Sequence, residues 1–227
     1  MTVTLITGAN KGIGYETARQ LLELGHRVWI GARDVERGEK AAAELGARSV
    51  QLDVTDDASV GSALAAIDTA EGRLDVLVHN AGVLETGLDG PAALRSFDTN
   101  AVGIVRVTEA ALPLLRRSAD PTVVTVSSSM GSFWAVTNPE RPESGVPLAL
   151  YAASEAAATM LTVQYSRAHP DITFNALEPG TTATDMTAAM GIGRPVEESA
   201  RVVVRLATLG SAGPTGTLRD EAGELPW

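Results

Sequence analysis

Residues Thr7–Gly14 read TGANKGIG, a glycine-rich turn between an apolar run and an amphipathic stretch. The run Val3–Ile6 predicts a β-strand, and the apolar spacing of Tyr15–Leu22 predicts an α-helix. Glycine lets a backbone turn tightly and approach an anion without an intervening Cβ atom. Unpaired N–H groups and the helix dipole then favour a phosphate at the start of the helix. The spacing G-x-x-x-G-x-G is a variant of the dinucleotide fingerprint, so this stretch predicts a pyrophosphate site.

The composition is that of a globular α/β protein and excludes several classes of function. The 227 residues are 44% apolar and 20% charged, which is enough chain to bury a sizeable core. A net charge of −10 makes nucleic acid and anionic membranes poor partners. The chain has no cysteine, and its three histidines are widely separated, so we expect no metal site. No membrane span or signal peptide is visible, so we expect a cytoplasmic protein.

Apolar runs typical of strands alternate with helical segments along the chain. Beyond the first pair, we expect strands at Arg27–Ile30, Arg48–Leu52, Leu74–His79, 121/122–126, Ile172–Leu177 and Thr215–Leu218. We expect helices at 34/35–45, Ala58–Ala70, Phe97–Arg117, Leu148–His169 and Val196–Leu209. This alternation predicts an α/β fold: a Rossmann-type, doubly wound parallel sheet of about seven strands with helices on both faces. The whole chain, 1–227, is expected to form a single domain, with ligands bound at the carboxyl edge of the sheet.

The residues that follow the second strand indicate which dinucleotide binds. An NAD site usually has a carboxylate there, which holds the adenosine ribose. Here the place is taken by Ala32 and Arg33, and a guanidinium suits a 2′-phosphate. Lys11 in the glycine turn adds a second cation nearby, whereas Asp34 could orient Arg33 or contact the ribose itself. We therefore predict NADP(H) rather than NAD(H).

Eight short stretches together resemble the short-chain dehydrogenase/reductase family, and the first half of the chain is most similar to its carbonyl-reductase-like branch. They are Thr7–Gly14, Ala32–Asp34, Leu52–Val54, Asn80–Gly82, Asn100, Val126–Ser128, Tyr151–Ser154 and Pro179–Gly180. They occur in the family's order along nearly the whole chain. Each is weak alone, but the combination is specific.

The resemblance implies which residues would hold the cofactor. Asp53 would meet the adenine amino group, and the Asn80–Gly82 stretch would stabilise the sheet edge and touch the cofactor. The segment from Pro179 to Thr184 would hold the nicotinamide end and the pyrophosphate. The cofactor-binding residues implied are Gly8, Asn10, Lys11, Gly12, Ile13, Gly14, Arg33, Asp53, Val54, Asn80, Ala81, Gly82, Tyr151, Glu155, Pro179, Gly180, Thr182 and Thr184.

The same resemblance implies a catalytic group of Ser128, Tyr151 and Asn100. Reducing a carbonyl takes a hydride from the cofactor and a proton from an acid. Ser128 would hydrogen-bond the substrate carbonyl, where a hydroxyl can polarise the oxygen. Tyr151 would be the general acid in reduction and the base in oxidation, although a tyrosine pKa of about 10 needs help to exchange protons near neutrality. Asn100 would bend its helix and hold a water in the proton relay.

One catalytic position departs from the family motif Tyr-x-x-x-Lys, because Glu155 stands where the lysine is expected. Residues four apart share a helix face, and an ionised glutamate disfavours a Tyr151 phenolate by up to about 4 kcal/mol at about 4 Å. Three hypotheses follow. Glu155 could accept ribose hydroxyls in a slow reductase, or be protonated and pass protons through water. Alternatively, the protein could bind NADP with little or no hydride transfer.

The segment 131–150 separates Ser128 from Tyr151 by more residues than is usual in the family. It contains Phe133, Trp134 and several prolines, so we expect it to wall a pocket for a bulky, apolar carbonyl or secondary alcohol; a packed surface loop is the alternative. The segment adjoins a helix that family members often use to dimerise, which leaves a homodimer, a homotetramer and a monomer open. An S-adenosylmethionine enzyme on a similar sheet is a third, weaker alternative for the function.

Overall fold

A computed structural model describes residues 1–188 and 191–227, and its centre is one parallel sheet of seven strands. The strands are β1 (Val3–Thr7), β2 (Arg27–Ala32), β3 (Arg48–Gln51), β4 (Val76–His79), β5 (Thr122–Val126), β6 (Thr173–Leu177) and β7 (Thr217–Arg219). Their order across the sheet is β3-β2-β1-β4-β5-β6-β7, with parallel pairing throughout. The predicted doubly wound sheet is confirmed.

Helices cover both faces of this sheet. They are α1 (Gly12–Glu23), α2 (Val35–Leu45), α3 (Asp57–Glu71), α4 (Gly90–Phe97), α5 (Gly103–Leu115), α6 (Phe133–Thr137), α7 (Ala149–Ala168) and α8 (Val196–Ala207). One core cluster joins α3, α5 and α7 to the sheet, and a second joins α1, α2 and α8 to it. Every residue of the central strands β1 and β4 is buried. Burial on both faces of a sheet explains why these strands are rich in apolar residues.

The helical boundaries between residues 90 and 137 differ from the prediction. The helix expected from Phe97 is preceded by α4, whose N-cap Asp89 accepts a hydrogen bond from the Ala92 N–H. A π-helical segment, Asp98–Val102, then separates α4 from α5. The short helix α6 lies inside the segment expected to be a loop, because the Ser132 side chain caps it by accepting from the Ala135 N–H.

The topology brings the interesting stretches to one edge. The strand order runs outward from β1 to β3 on one side and from β4 to β7 on the other, so it reverses between β1 and β4. A doubly wound sheet binds its ligand at this switch point. The glycine turn after β1, Asn80–Gly82 after β4, Ser127–Ser129 after β5 and Pro179–Gly180 after β6 all follow the carboxyl ends of neighbouring strands. Within residues 1–188 and 191–227, no helix combines the length and apolar character needed to cross a bilayer.

Candidate active site

The glycine turn after β1 is a cradle that side chains would fill. Gly8 and Gly12 have φ values of +64° and +60°, which L-residues adopt only with strain. A Cβ atom at Gly8 would lie 2.9 Å from the Ala81 Cα, and one at Gly14 would overlap the Asn80 side chain. The turn precedes α1, so it offers open space and N–H groups to an anion. These residues therefore fit the pyrophosphate of a dinucleotide.

A set of hydrogen bonds locks this turn to the end of β4. The Thr7 hydroxyl oxygen accepts from the backbone N–H groups of Asn80 and Ala81, each at 3.0 Å. The Asn80 amide donates in return to the carbonyls of Thr7 (3.0 Å) and Gly8 (3.1 Å). Asn80 thus fixes the relative position of the two strand ends, which supports its expected role at the sheet edge.

The cations expected at the adenosine end have different surroundings. Arg33 is exposed, and within the described ranges its side chain makes no hydrogen bond or ion pair. Asp34 caps α2 by accepting from the Arg37 N–H at 3.0 Å, so it is not used to orient Arg33. Lys11 Nζ lies 2.6 Å from the Asp185 carboxylate, in the loop after β6. Arg33 is therefore the cation here that is ready to meet a phosphate.

Asp53 and Val54, the residues expected at the adenine, lie in the turn that follows β3. One Asp53 oxygen accepts from the Thr55 N–H (2.9 Å) and hydroxyl (2.7 Å), which holds the turn. Val54 packs beneath the first turn of α5, where a Cβ atom at Gly103 would lie 3.0 Å from the Val54 Cβ. The proposed adenine contacts of these two residues stay a prediction.

Hydrogen bonds from Thr182 and Arg194 hold the Pro179–Gly180 turn after β6 in place. The buried Thr182 hydroxyl donates to the Gly180 carbonyl (2.7 Å) and lies 2.6 Å from the Ser199 hydroxyl. Arg194 donates to the Pro179 carbonyl and to Ser199. Thr184, by contrast, approaches the glycine turn, because its Cγ2 would lie 3.5 Å from a Cβ atom at Gly12. Of the two threonines, Thr184 is the one whose position supports a pyrophosphate contact.

Asn100 lies in the π-helical segment and links it to two other elements. Its side chain exchanges hydrogen bonds with the backbone of Val83, at 2.8 and 2.9 Å, and donates to the Ser154 hydroxyl at 3.0 Å. Ser154 donates in turn to the Tyr151 carbonyl at 2.9 Å. Asn100 therefore anchors the first turns of α7, whereas its role in holding a water stays a prediction.

The turn after β5, which carries Ser128, packs against α7, which carries Tyr151. A Cβ atom at Gly131 would lie 2.6 Å from the Glu155 carbonyl carbon, so glycine permits this contact. The Ser128 hydroxyl also accepts from the Met130 N–H at 3.1 Å. The pKa of Tyr151 is raised well above its ordinary value by burial and by the nearby carboxylates, while hydrogen bonding to Ser128 lowers it.

Glu155 points into the site rather than to solvent, with 5% of its surface exposed. Burial raises the pKa of its carboxyl to about 8, and the Glu178 charge adds to that effect; hydrogen bonds with Ser127 and Tyr151 act the other way. At pH 7 the protonated form is therefore favoured. The raised pKa is consistent with a protonated Glu155, and which of the three hypotheses applies stays a prediction.

Glu178 is a site residue that the sequence analysis did not assign. Its Oε1 accepts from the Gly180 N–H at 2.6 Å, and its Oε2 accepts from the Ser129 N–H. The only signal in the sequence is an acidic residue directly before a Pro-Gly pair at the end of a strand. Its second partner lies 49 positions away, so this contact depends on the neighbouring positions of β5 and β6.

The segment 131–150, which joins the Ser128 turn to α7, places aromatic side chains on the surface. Phe133 is 72% exposed, and Trp134 is 39% exposed with the Arg141 guanidinium 5.5 Å from its ring centre. Arg141 also pairs with Glu143 at 2.7 Å, near the middle of the segment. Exposed aromatic groups suit contact with an apolar ligand, so a pocket wall stays the prediction for this segment.

The histidines lie outside the site. His79 is buried and bonds the Thr108 hydroxyl at 2.9 Å, and burial lowers its pKa to about 3. No group of three or more His, Asp or Glu side chains in the described part of the chain is arranged to hold a metal ion.

Replacing Glu155 by glutamine should change how stability depends on pH. A carboxyl whose pKa is about 8 in the folded state and about 4.5 when unfolded stabilises the fold fully below pH 4.5. That contribution is lost as the pH rises to 8, and we expect the unchanged protein to lose about 3 to 5 kcal/mol more than Glu155→Gln across this window. Urea unfolding at pH 5 and pH 9 measures the difference. An identical pH dependence in the two proteins would contradict the assignment.

Comparisons with known proteins agree with this geometry. The family profile described as short chain dehydrogenase matches residues 2–194. A short-chain dehydrogenase/reductase of Stachybotrys chlorohalonatus is 34% identical over 99% of this chain and 94% of its own. The NADPH-bound carbonyl reductase from chicken fatty liver superposes over both full chains with a TM-score of 0.88 and 26% identity. An actinorhodin polyketide ketoreductase variant with NADPH gives a TM-score of 0.83 and 27% identity over 98% of this chain and 96% of that one.

Two NADPH-bound structures therefore share this fold, and NADP(H) binding is supported for proteins of this kind. All of these relatives are oxidoreductases by name. They lend no support to the alternative of an NADP-binding protein without hydride transfer, nor to an S-adenosylmethionine enzyme.

Proposed function

Because the chain belongs to the short-chain dehydrogenase family, we propose that it transfers a hydride between NADP(H) and a carbonyl or secondary alcohol. The observation that carries the proposal is that the turn with Ser128 packs against α7, which carries Tyr151, at the sheet edge that also holds the glycine turn. The names carbonyl reductase and ketoreductase among similar structures support the substrate class. Residues 1–227 would act as one NADP-binding domain.

Several of the chain's residues would hold the cofactor. The glycine turn would accept the pyrophosphate, Arg33 the 2′-phosphate, Asp53 and Val54 the adenine, and Pro179–Gly180 the nicotinamide end. When bound, NADPH supplies the hydride. The remaining residues proposed to contact it are Asn10, Lys11, Ile13, Asn80, Ala81, Gly82, Tyr151, Glu155, Thr182 and Thr184.

The catalytic groups would divide the proton chemistry among them. Ser128 would donate a hydrogen bond to the substrate oxygen, where negative charge develops. Tyr151 would release its phenolic proton to the same oxygen, and the protonated Glu155 would return a proton to Tyr151, which lies one turn away on α7. Glu155 would regain its proton from solvent. The net result is that one proton enters the site for each carbonyl that is reduced.

The proposed function is tested by following NADPH oxidation with quinones, diketones and aromatic ketones. We expect the bulky aromatic substrates to be reduced with a higher kcat/KM than acetone-sized ketones, because the segment 131–150 presents Phe133 and Trp134. NADPH binding with no oxidation of NADPH by any substrate would contradict the proposal and favour a binding protein.

Replacing Arg33 by glutamine should weaken NADPH binding selectively. Hydrogen bonds to charged groups contribute about 1.5–3 kcal/mol, so we expect the Kd for NADPH to rise about 10- to 100-fold while the Kd for NADH changes little. Binding of each coenzyme is measured by calorimetry. Arg73→Gln is the matched control, because Arg73 bonds Asp75, which precedes β4 at the opposite edge of the sheet. An equal loss for both coenzymes in Arg33→Gln would contradict the role of Arg33.

A further inference from the structure

We propose that Glu178 is a positioning residue of this site, which ties the turn carrying Ser128 to the Pro179–Gly180 turn and acts through its charge on Glu155. The kinetic consequences rest on the proposed function, whereas the structural consequences do not. Glu178 follows β6 directly, and β6 pairs with β5 through Val126 and Leu177. The two turns are therefore neighbours at the carboxyl edge.

Each carboxylate oxygen of Glu178 serves a different turn. Oε1 accepts from the N–H of Gly180 at 2.6 Å and Oε2 from the N–H of Ser129. Backbone N–H groups at strand ends need such partners when they leave the sheet. Only a carboxylate offers two acceptor oxygens in this arrangement, since a glutamine offers one oxygen and one donor nitrogen. Glu178 is thus a clamp whose loss would release one turn or the other.

The turn that carries Ser128 lies against both acidic residues, because its Ser129 N–H bonds the Glu178 carboxylate and a Cβ atom at Gly131 would lie 2.6 Å from the Glu155 carbonyl carbon. Tyr151 and Glu155 reach the site from α7. Beyond the clamp, Arg141 is already paired with Glu143, whose pKa is lowered by that pair and by the Ser129 hydroxyl. On the other side, Arg194 bonds the Pro179 carbonyl and pairs with Glu221 at 2.6 Å. No ion pair joins Glu155 or Glu178 to a cation among residues 1–188 and 191–227.

This arrangement assigns the single proton of the carboxyl pair. Two neighbouring carboxylates without a counter-cation do not both ionise readily. Both Glu178 oxygens accept N–H hydrogen bonds, which suits a carboxylate, whereas Glu155 is buried and its raised pKa favours the protonated form. Glu155 then has a proton for Tyr151 at a pH where an isolated glutamate would have lost it. Glu178 therefore acts through Glu155.

The test compares Glu178→Gln with the unchanged protein, with Glu155→Gln and with the double variant. The free energy of unfolding in urea is measured from pH 4 to pH 9.5 on the protein without cofactor. We expect the pH midpoint at which the Glu155 contribution is lost to fall by about one unit in Glu178→Gln, because one like charge has gone. Adding Glu178→Gln to Glu155→Gln should produce no such shift. Glu140→Gln, an exposed carboxyl in segment 131–150, should leave the midpoint unchanged.

A second variant separates the effect of the Glu178 charge from the effect of its two hydrogen bonds. Glu178→Asp keeps the charge on a shorter side chain, so it should lower stability at every pH and leave the midpoint within about 0.3 units. If Glu178→Gln does not fold, the result for Glu178→Asp decides. A pH midpoint that stays unchanged in Glu178→Asp supports the inference. A midpoint that falls by about one unit in Glu178→Asp overturns it. An unchanged midpoint in Glu178→Gln also overturns it.

The same shift should appear in the enzyme. The pH at which kcat for ketone reduction falls should be about one unit lower in Glu178→Gln. Unfolding is measured without cofactor, so an absence of ketone reduction would overturn the proposed function while leaving the stability test of Glu178 intact. Normal activity with no shift in either profile would overturn only the inference about Glu178.

Discussion

Replacing Tyr151 by phenylalanine should lower kcat for ketone reduction by about 10²- to 10³-fold while the Kd for NADPH changes by less than about twofold. Proton donation by a positioned side chain typically contributes 10²- to 10⁴-fold, and the Tyr151 hydroxyl is the group that we propose as the proton donor. Its removal takes away the proton donor without disturbing the glycine turn. Steady-state kinetics and calorimetry measure the two quantities separately.

Tyr165 provides the matched control for this change. It lies on the same helix, its hydroxyl bonds Glu109 at 2.8 Å, and its ring stacks on Phe174 with centres 5.6 Å apart. Tyr165→Phe should therefore reduce stability and leave kcat unchanged. If Tyr151→Phe kept the full kcat, the proton would come from another group and the catalytic assignment would be wrong.

Replacing Glu155 by lysine should raise kcat for reduction, and the gain should grow with pH. At pH 9 the carboxyl, with its pKa of about 8, is ionised; it then withholds the Tyr151 proton and opposes the developing phenolate. A lysine at position 155 replaces this negative charge by a positive one beside Glu178. We therefore expect kcat to rise about 10- to 100-fold at pH 9. At pH 6, where Glu155 already carries a proton, the two proteins should differ by less than about fivefold.

Kinetics with one aromatic ketone at both pH values measure this effect. Glu140→Lys makes the same charge change at an exposed position and should leave kcat unaltered at either pH. A fall in kcat for Glu155→Lys at pH 9 would show that the carboxylate is required in its ionised form, contrary to the proton relay proposed.

The parts of the fold that depend on local pattern were predictable from the sequence. The boundaries of α2 follow from a capping aspartate and a C-terminal glycine, and the glycine turn has few alternatives because its backbone needs positive φ. The helix α4 was missed although Asp89 and Pro91 are ordinary start signals; its short length and polar neighbours weaken the apolar pattern. In the site, the facing of Tyr151 and Glu155 followed from helical spacing alone.

Contacts between distant segments were not predictable in this way. The pairing of Lys11 with Asp185 spans 174 positions, and that of Glu178 with Ser129 spans 49. Both depend on which loops the sheet brings together. The direction of the Thr182 hydroxyl, toward Ser199 rather than the cleft, depends equally on where α8 packs. Such contacts determine which charged groups surround Glu155. The pKa of Glu155 could therefore not be predicted from the sequence alone.

The most direct test of this account is a calorimetric titration of the unchanged protein with NADPH and with NADH. The glycine turn and Arg33 predict that NADPH binds, and that it binds at least about tenfold more tightly than NADH. An absence of heat with either coenzyme, or tighter binding of NADH, would contradict the assignment of a phosphate-selective dinucleotide site.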